Sequence, residues 1–176
     1  IYNVGIIGFG YWGPNVARNF HNNNECKVKY ICDLDKSARI RAKGAFNQVD
    51  IIDDVNIIFS DESIDIVAIV TPVSHHYALA KKALLSNKHI FIEKPMVLTK
   101  NEAHELIKLS KDKSLVCIVD HTFLFTSAVI KIKEIIDSGE IGEILYFDST
   151  RVNLGNFQHD VDVIWDLAPH DLSILF

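Results

Sequence analysis

Three groupings of residues in this chain have the types and spacing that chemistry needs. The first is Gly8-x-Gly10-x-x-Gly13, with Phe9, Tyr11 and Trp12 between the glycines and Pro14-Asn15 after them. It follows an apolar run, Val4 to Ile7, and passes into a helical pattern, Val16 to Phe20. A strand, a tight turn and a helix N-terminus in that order offer a phosphate free N–H groups and the positive end of a helix dipole. Gly8 permits the turn, Gly10 lets the backbone approach a pyrophosphate, and Gly13 lets helix and strand pack closely. Asp33 ends the next apolar run about 20 residues beyond Gly13, where a carboxylate meets the hydroxyls of an adenosine ribose. A 2′-phosphate would meet a like charge at Asp33, with Asp35 adding to it and Lys36 and Arg39 softening it, so NAD is expected over NADP.

The second grouping is Glu93-Lys94-Pro95, at the end of an apolar run, His89 to Glu93. Ligands of open α/β sheets bind at the carboxyl ends of the strands. An ammonium there can hydrogen-bond a substrate oxygen and stabilise developing alkoxide charge. The structural alternative is a solvated lysine paired with Glu93, and Pro95 suits a cis bond. The third grouping is Asp166-x-x-x-His170, one helical turn apart and so on one face. A carboxylate beside an imidazole raises its basicity and fixes its tautomer, as a general base needs. The alternatives are a helix cap at Asp166 with Pro169 in the first turn, and a metal site drawn from His159, Asp160, Asp162, Asp166, His170 and Asp171. The spacing matches no common zinc pattern, so no metal is expected. Thr71-Pro72 and His76 follow a further apolar run, where His75 or His76 touches cofactor or caps a helix. Asp120-His121 ends another. Trp12 either covers a cofactor or packs on the glycine turn.

Those groups require a scaffold of alternating strands and helices. Strands are expected at Val4–Ile7, Lys27–Cys32, Gln48–Ile52, Ile64–Thr71, His89–Glu93 and Leu115–Val119. Helices are expected from Gly13, near Lys36–Ala45, and at Val55–Phe59, His76–Ser86, Lys100–Asp112, Ser127–Ser138 and Asp166–Phe176. Thr99-x-x-Glu102 is a capping box, Asn87 a C-cap, and Gly139 a helix stop. The alternation predicts an α/β fold, a Rossmann doubly wound parallel sheet, over residues 1–121. From residue 122 the pattern loosens. A longer, more polar strand is expected over Ile144–Val152 and a polar loop over Asn153–Ile164. Residues 122–176 read as the beginning of a second, mixed α/β domain that is incomplete.

A net charge of -5 gives no basic footprint, so nucleic acid and anionic membrane are poor partners. No apolar run reaches a membrane span, and no signal peptide is evident at the start of this sequence. Three cysteines without a CxxC pair read as buried hydrophobes in a reducing cytoplasm.

Taken together, Gly8-x-Gly10-x-x-Gly13, Thr71-Pro72-x-x-x-His76, Glu93-Lys94-Pro95 and Asp166-x-x-x-His170 resemble the glucose–fructose oxidoreductase/inositol dehydrogenase (Gfo/Idh/MocA) family, in family order and over the whole chain. The strings Gly10–Asn15 and Trp165–Ser173 resemble its branch acting on nucleotide-linked sugars, of the UDP-N-acetylglucosamine 3-dehydrogenase type. Where many relatives carry glycine between the last pair, this chain has Ala168-Pro169. The resemblance implies an NAD-dependent dehydrogenase acting on a sugar carbinol, with Lys94, Asp166 and His170 catalytic. It implies a cofactor contact at Glu93 and a C-terminal domain built on a large open sheet. A homo-oligomer is expected of the full-length protein. A non-catalytic dinucleotide-binding or sensing module is the rival, and a methyltransferase with a similar glycine loop a weaker one.

Overall fold

The computed structural model describes residues 1–152 and 161–176. Two compact units divide the chain, Ile1–Val119 and Asp120–Phe176. The first holds six parallel strands: β1 (Tyr2–Ile7), β2 (Cys26–Cys32), β3 (Asp50–Ile52), β4 (Ile66–Ile69), β5 (His89–Ile92) and β6 (Cys117–Val119). Their order across the sheet is β3-β2-β1-β4-β5-β6, so the direction of winding reverses between β1 and β4.

Alternation along the strands decides which helices cover which face. Val4, Ile6, Ala68 and Val70 point to one side, where Val16 and Ala17 of α1 (Gly13–Asn22) and Ala38 and Ala42 of α2 (Lys36–Ala45) meet them. Ile7, Val67, Ile69, Ile90 and Ile92 point to the other. There they pack with Ile58 and Phe59 of α3 (Val55–Ser60), Ala80, Ala83 and Leu84 of α4 (His76–Leu85) and Leu106 of α5 (Lys100–Asp112). Along the central strands β1 and β4 both faces are covered, as a parallel sheet requires. A register shift between Val4 and Gly5 sets Val28 and then Tyr30 opposite them, which re-aims the end of β2.

Local signals place the helix ends. Asp35 caps α2 through the N–H groups of Ser37 and Ala38, and Asp54 caps α3 through that of Asn56. Thr99 and Glu102 form the reciprocal box at the start of α5. Asn87 follows α4 in the left-handed region, at φ 59°. β3, β4, β5 and β6 are each shorter than the expected runs Gln48–Ile52, Ile64–Thr71, His89–Glu93 and Leu115–Val119.

The second unit contains a 3-10 turn (Thr122–Phe125), α6 (Ser127–Asp137) and α7 (Val163–Leu175). Gly139 follows α6 at φ 73°. The strand expected over Ile144–Val152 is not formed. Its aromatic and β-branched residues favour a pleated surface, yet no neighbouring strand pairs with it among the described residues, and a ladder needs a partner. The start of the last helix also differs. Asp162, not Asp166, is the cap, its carboxylate accepting from the N–H of Trp165 at 2.8 Å. Asp166 therefore lies within the first turn and Pro169 inside the helix, where it cannot donate to the carbonyl of Trp165. Of the loop expected over Asn153–Ile164, Val163 and Ile164 open α7, and 153–160 lie outside the described residues. Among the described residues no helix is long and apolar enough to cross a membrane.

Candidate cofactor and active site

Strand register puts the first site residues in a row. Ile7 lies opposite Cys32 and Ile69, and Ile69 opposite Ile92. The row continues past the strands: Gly8 N–H donates to the carbonyl of Cys32, Val70 N–H to Ile7, and Glu93 N–H to Ile69, at 2.8, 2.8 and 3.0 Å. Gly8, Asp33, Thr71, Glu93 and Lys94 thus emerge at one carboxyl edge, flanking the point where the winding reverses.

The three glycines of the turn answer to different constraints. Gly8 has φ 100°, and a Cβ there would lie 2.5 Å from the carbonyl oxygen of Val70. At Gly13 a Cβ would lie 2.6 Å from the carbonyl oxygen of Gly8, so the helix can approach the turn only without a side chain. Gly10 has nothing within 4 Å of its Cβ position and an ordinary φ. The fold itself does not demand glycine at Gly10, and the open space beside its backbone fits a dinucleotide's pyrophosphate. Trp12 occupies the cap position of α1, its carbonyl accepting from Asn15 and Val16. Its ring stacks on the exposed Tyr11, centroids 6.4 Å apart. Phe9 is different: its side chain is buried edge-on against Phe46, so only its main chain faces the turn.

Asp33 is held by that main chain. Its Oδ2 accepts from Phe9 N–H at 2.6 Å and its Oδ1 from Asp35 N–H at 2.8 Å. A carboxylate has about four acceptor positions, so two contacts leave room for a ribose diol. The neighbouring charges differ from expectation. The Asp35 carboxylate is spent on the N-terminus of α2, and the Ser37 hydroxyl and N–H donors hold it below its usual range. The Arg39 guanidinium donates to the carbonyls of Asp33 and Leu34 and pairs with Asp53 at 3.3 Å. Lys36 lines a groove at the β3 edge with Tyr30, Ile52 and Ile57. The cation at the glycine turn is Arg41, whose Nη2 donates to the carbonyl of Phe9 at 3.3 Å.

At the end of β5, Glu93 Oε2 accepts from Lys94 N–H at 3.0 Å, and the Lys94–Pro95 peptide is cis. Both Glu93 and Lys94 are half-buried. His76 is buried, with Nδ1 3.0 Å from the carbonyl oxygen of Pro95 and Nε2 2.7 Å from that of Thr71. It ties the Thr71-Pro72 turn to the Lys94-Pro95 turn and makes no side-chain cap. Pro72 precedes a 3-10 turn, Val73–His75, its carbonyl accepting from His75 N–H. Among the other histidines, His89 Nδ1 accepts from Val116 N–H and His21 packs on Phe46, both structural contacts.

In the second unit Asp166 and His170 stand one turn apart on α7. His170 is buried, and the Phe123 ring meets it edge-on with centroids 4.6 Å apart. Arg151 lies over the same Phe123 ring at 5.0 Å and donates from Nε to Asp171 Oδ2 at 2.7 Å. The Ser149 hydroxyl donates to Asp171 Oδ1 at 2.8 Å. Arg151 first, then Ser149, hold the Asp171 carboxyl below its usual range against some desolvation. Burial lowers the His121 imidazole, opposed by Asp120, and its Nδ1 is buried without a hydrogen-bond partner among the described residues. Sequence reasoning missed Arg151, Ser149 and Phe123, since nothing in their spacing links them to α7. Of the metal set considered, His159 and Asp160 lie outside the described residues. No group of three or more His, Cys, Asp or Glu gathers among the described residues.

A parallel sheet in 3-2-1-4-5-6 order, with an open glycine turn at its first strand and an acid at its second, defines a dinucleotide-binding Rossmann domain. Residues 2–121 match the sequence profile of the Gfo/Idh/MocA family, described as an oxidoreductase family with an NAD-binding Rossmann fold, and the chain belongs to that family. It is 29% identical over 184 residues to an uncharacterized oxidoreductase of Escherichia coli K12, YdgJ, covering 97% of this chain and 51% of that one. The 2,7-anhydro-N-acetylneuraminate hydratase of the same organism is 27% identical over 157 residues, 89% of this chain and 41% of its own. The scyllo-inositol dehydrogenase of Lactobacillus casei, solved with NAD(H) and scyllo-inositol, shares the fold at a TM-score of 0.75. It is 24% identical, and the match covers 81% of this chain and 42% of that one. The chain spans about half the length, or less, of the curated relatives it matches.

Proposed function

We propose that the full-length protein is an NAD-dependent dehydrogenase that oxidises a CH–OH group of a sugar, and that the sugar is nucleotide-linked. The observation that carries this reading is the placement of Lys94 on the same sheet edge as the open glycine turn, two strands away. Two strand spacings of about 4.8 Å put it roughly 10 Å across the edge, toward the nicotinamide end of a dinucleotide anchored at Gly10. The nicotinamide supplies the hydride acceptor when bound. Glu93 and the Thr71-Pro72 turn contact the cofactor, while His76 holds the loops that shape its bed.

Residues 1–121 serve as the cofactor domain and 122–176 as the beginning of the substrate and oligomerisation domain. Lys94 holds the reacting oxygen by hydrogen bonding and stabilises its developing charge. His170 takes the hydroxyl proton and Asp166 orients it. Support for a nucleotide sugar comes from the strings Gly10–Asn15 and Trp165–Ser173. Three free cysteines suit a reducing cytoplasm. The test is NADH formation by the full-length protein against a panel of free polyols, free sugars and nucleotide sugars. Turnover confined to nucleotide sugars supports the reading. Activity on free polyols alone would remove the nucleotide-sugar assignment. NAD binding without oxidation of any of them would favour a sensing module.

A further inference from the structure

One aromatic ring in the second unit carries both the proposed base and a cation. The His170 ring meets Phe123 edge-on, and the Arg151 guanidinium lies over the same ring, at 4.6 and 5.0 Å from its centroid. No more than the sum of those two distances separates guanidinium from imidazole, a span that a sugar and an attached diphosphate cover. Arg151 is also held in direction. Its Nε donates to Asp171 Oδ2 at 2.7 Å, and the Ser149 hydroxyl donates to Asp171 Oδ1 at 2.8 Å, so that carboxylate is fixed through both oxygens. Asp171 directly follows His170 on α7, so one helix sets both the base and the acid that aims the arginine. A guanidinium carries five N–H donors, and the contact with Asp171 uses one. Neither Nη nitrogen has a hydrogen-bond partner among the described residues, and the side chain is partly exposed. Because Asp171 takes Nε, the edge formed by the two Nη groups is left to a ligand. That edge is a planar pair of charged donors, which fits the paired oxygens of a phosphate or carboxylate.

We propose that Arg151 receives the diphosphate of the substrate, with Asp171 as its positioning residue. The inference rests on the nucleotide-linked reading given above, since a neutral sugar or polyol has no charge for the guanidinium to pair with. A diphosphate lies away from the reacting carbon, so its contact is equally strong in the ground state and the transition state. Arg151 therefore acts on KM and leaves kcat alone. It selects substrates that carry an anion beside the sugar.

Calorimetric titration of the NAD-loaded full-length protein with UDP and with dTDP tests this, with Arg151→Ala and Arg151→Lys alongside. At least one nucleoside diphosphate is expected to bind the parent. Arg151→Ala should weaken it by about tenfold or more, the loss expected of a charge-assisted pair. Arg151→Lys should fall between, because it keeps the charge and loses the fork. KM for the nucleotide sugar should rise with the same ranking, at a kcat within about threefold of the parent. Retained NAD affinity shows that each variant is folded. Binding of neither nucleotide to the parent, or unchanged binding to Arg151→Ala, would overturn the proposal. A fall in kcat at constant KM would reduce Arg151 to a brace for α7 and overturn it as well. Arg151-dependent binding of free glucuronate in place of the nucleotides would assign the site to a carboxylate on the sugar and overturn the diphosphate. A parent that oxidises only free sugars or polyols would bring down the nucleotide-sugar reading, and this inference with it. Equal turnover and KM for a nucleotide sugar in parent and Arg151→Ala would remove this inference alone.

Discussion

The cofactor edge of the first unit and the α7 cluster of the second are built by opposite means. At the edge, charged and polar side chains mostly hold main chain, Arg39 also pairing with Asp53 and Arg41 with Ser37. Asp33 holds Phe9 and Asp35, Arg39 holds two carbonyls, Arg41 a third, Glu93 the N–H of Lys94, and His76 two loop carbonyls. In the α7 cluster side chains meet side chains: Arg151 on Asp171 and Phe123, Ser149 on Asp171, Phe123 on His170. Side chains fastened to main chain fix loop shape, which a bound dinucleotide of constant shape requires. Paired side chains can be exchanged without refolding a sheet, which suits the substrate-selecting role proposed for residues 122–176.

Variants separate the two regions, the largest effect first. His170→Asn in the full-length protein is expected to lose between roughly 100-fold and 10,000-fold in turnover, the range for removal of a general base, with NAD affinity unchanged. A loss below tenfold would make His170 a packing partner of Phe123 and nothing more. Next come Gly8 and Gly10, which the structure distinguishes. Gly8→Ala combines a left-handed φ with a Cβ against the Val70 carbonyl, and should cost roughly 3 kcal/mol or more, read as a lowered Tm. Gly10→Ala meets nothing in the protein. It should stay within about 0.5 kcal/mol of the parent and still lose NAD affinity. Equal Tm losses for the two would mean that Gly10 serves the fold rather than a ligand.

The smallest effect concerns Asp171. Its folded carboxyl is held below the usual range by Arg151 and then Ser149, so the unfolded state binds the proton more tightly. The stabilisation is therefore complete above about pH 4, the ordinary aspartate range, and fades as pH falls through the lower folded value. Side-chain exposures of 28% and 22% leave the pair partly screened, so about 1 kcal/mol or less is expected. Asp171→Asn should lower Tm slightly at neutral pH and close the gap to the parent in acid. A gap that widens in acid would contradict the assignment.

What the sequence makes legible follows the same division. The glycine turn, the cap at Thr99 and the alternation of strands with helices depend on neighbours within a few residues or on apolar runs and helical patterns, so they can be read locally. Arg41 escapes because its contact with Phe9 spans 32 positions. The only trace is the helical spacing of Ser37 and Arg41 after Asp33. Arg151 and Asp171 pair across 20 positions with no periodic signal at all. Ile144–Val152 misleads because strand-favouring residues cannot declare whether a partner strand stands beside them. The start of α7 misleads because Asp162 and Asp166 are both plausible caps, and Pro169 argues for the later one.

The most direct test of the dehydrogenase reading is NADH formation by full-length Lys94→Ala at saturating NAD, beside a parent shown to oxidise the same sugar. Loss of roughly 100-fold or more with the NAD affinity of the parent is the predicted result, since only the group stabilising the reacting oxygen is gone. Turnover within a few-fold of the parent would contradict it, leaving Lys94 a strand-end residue and the chemistry to other groups.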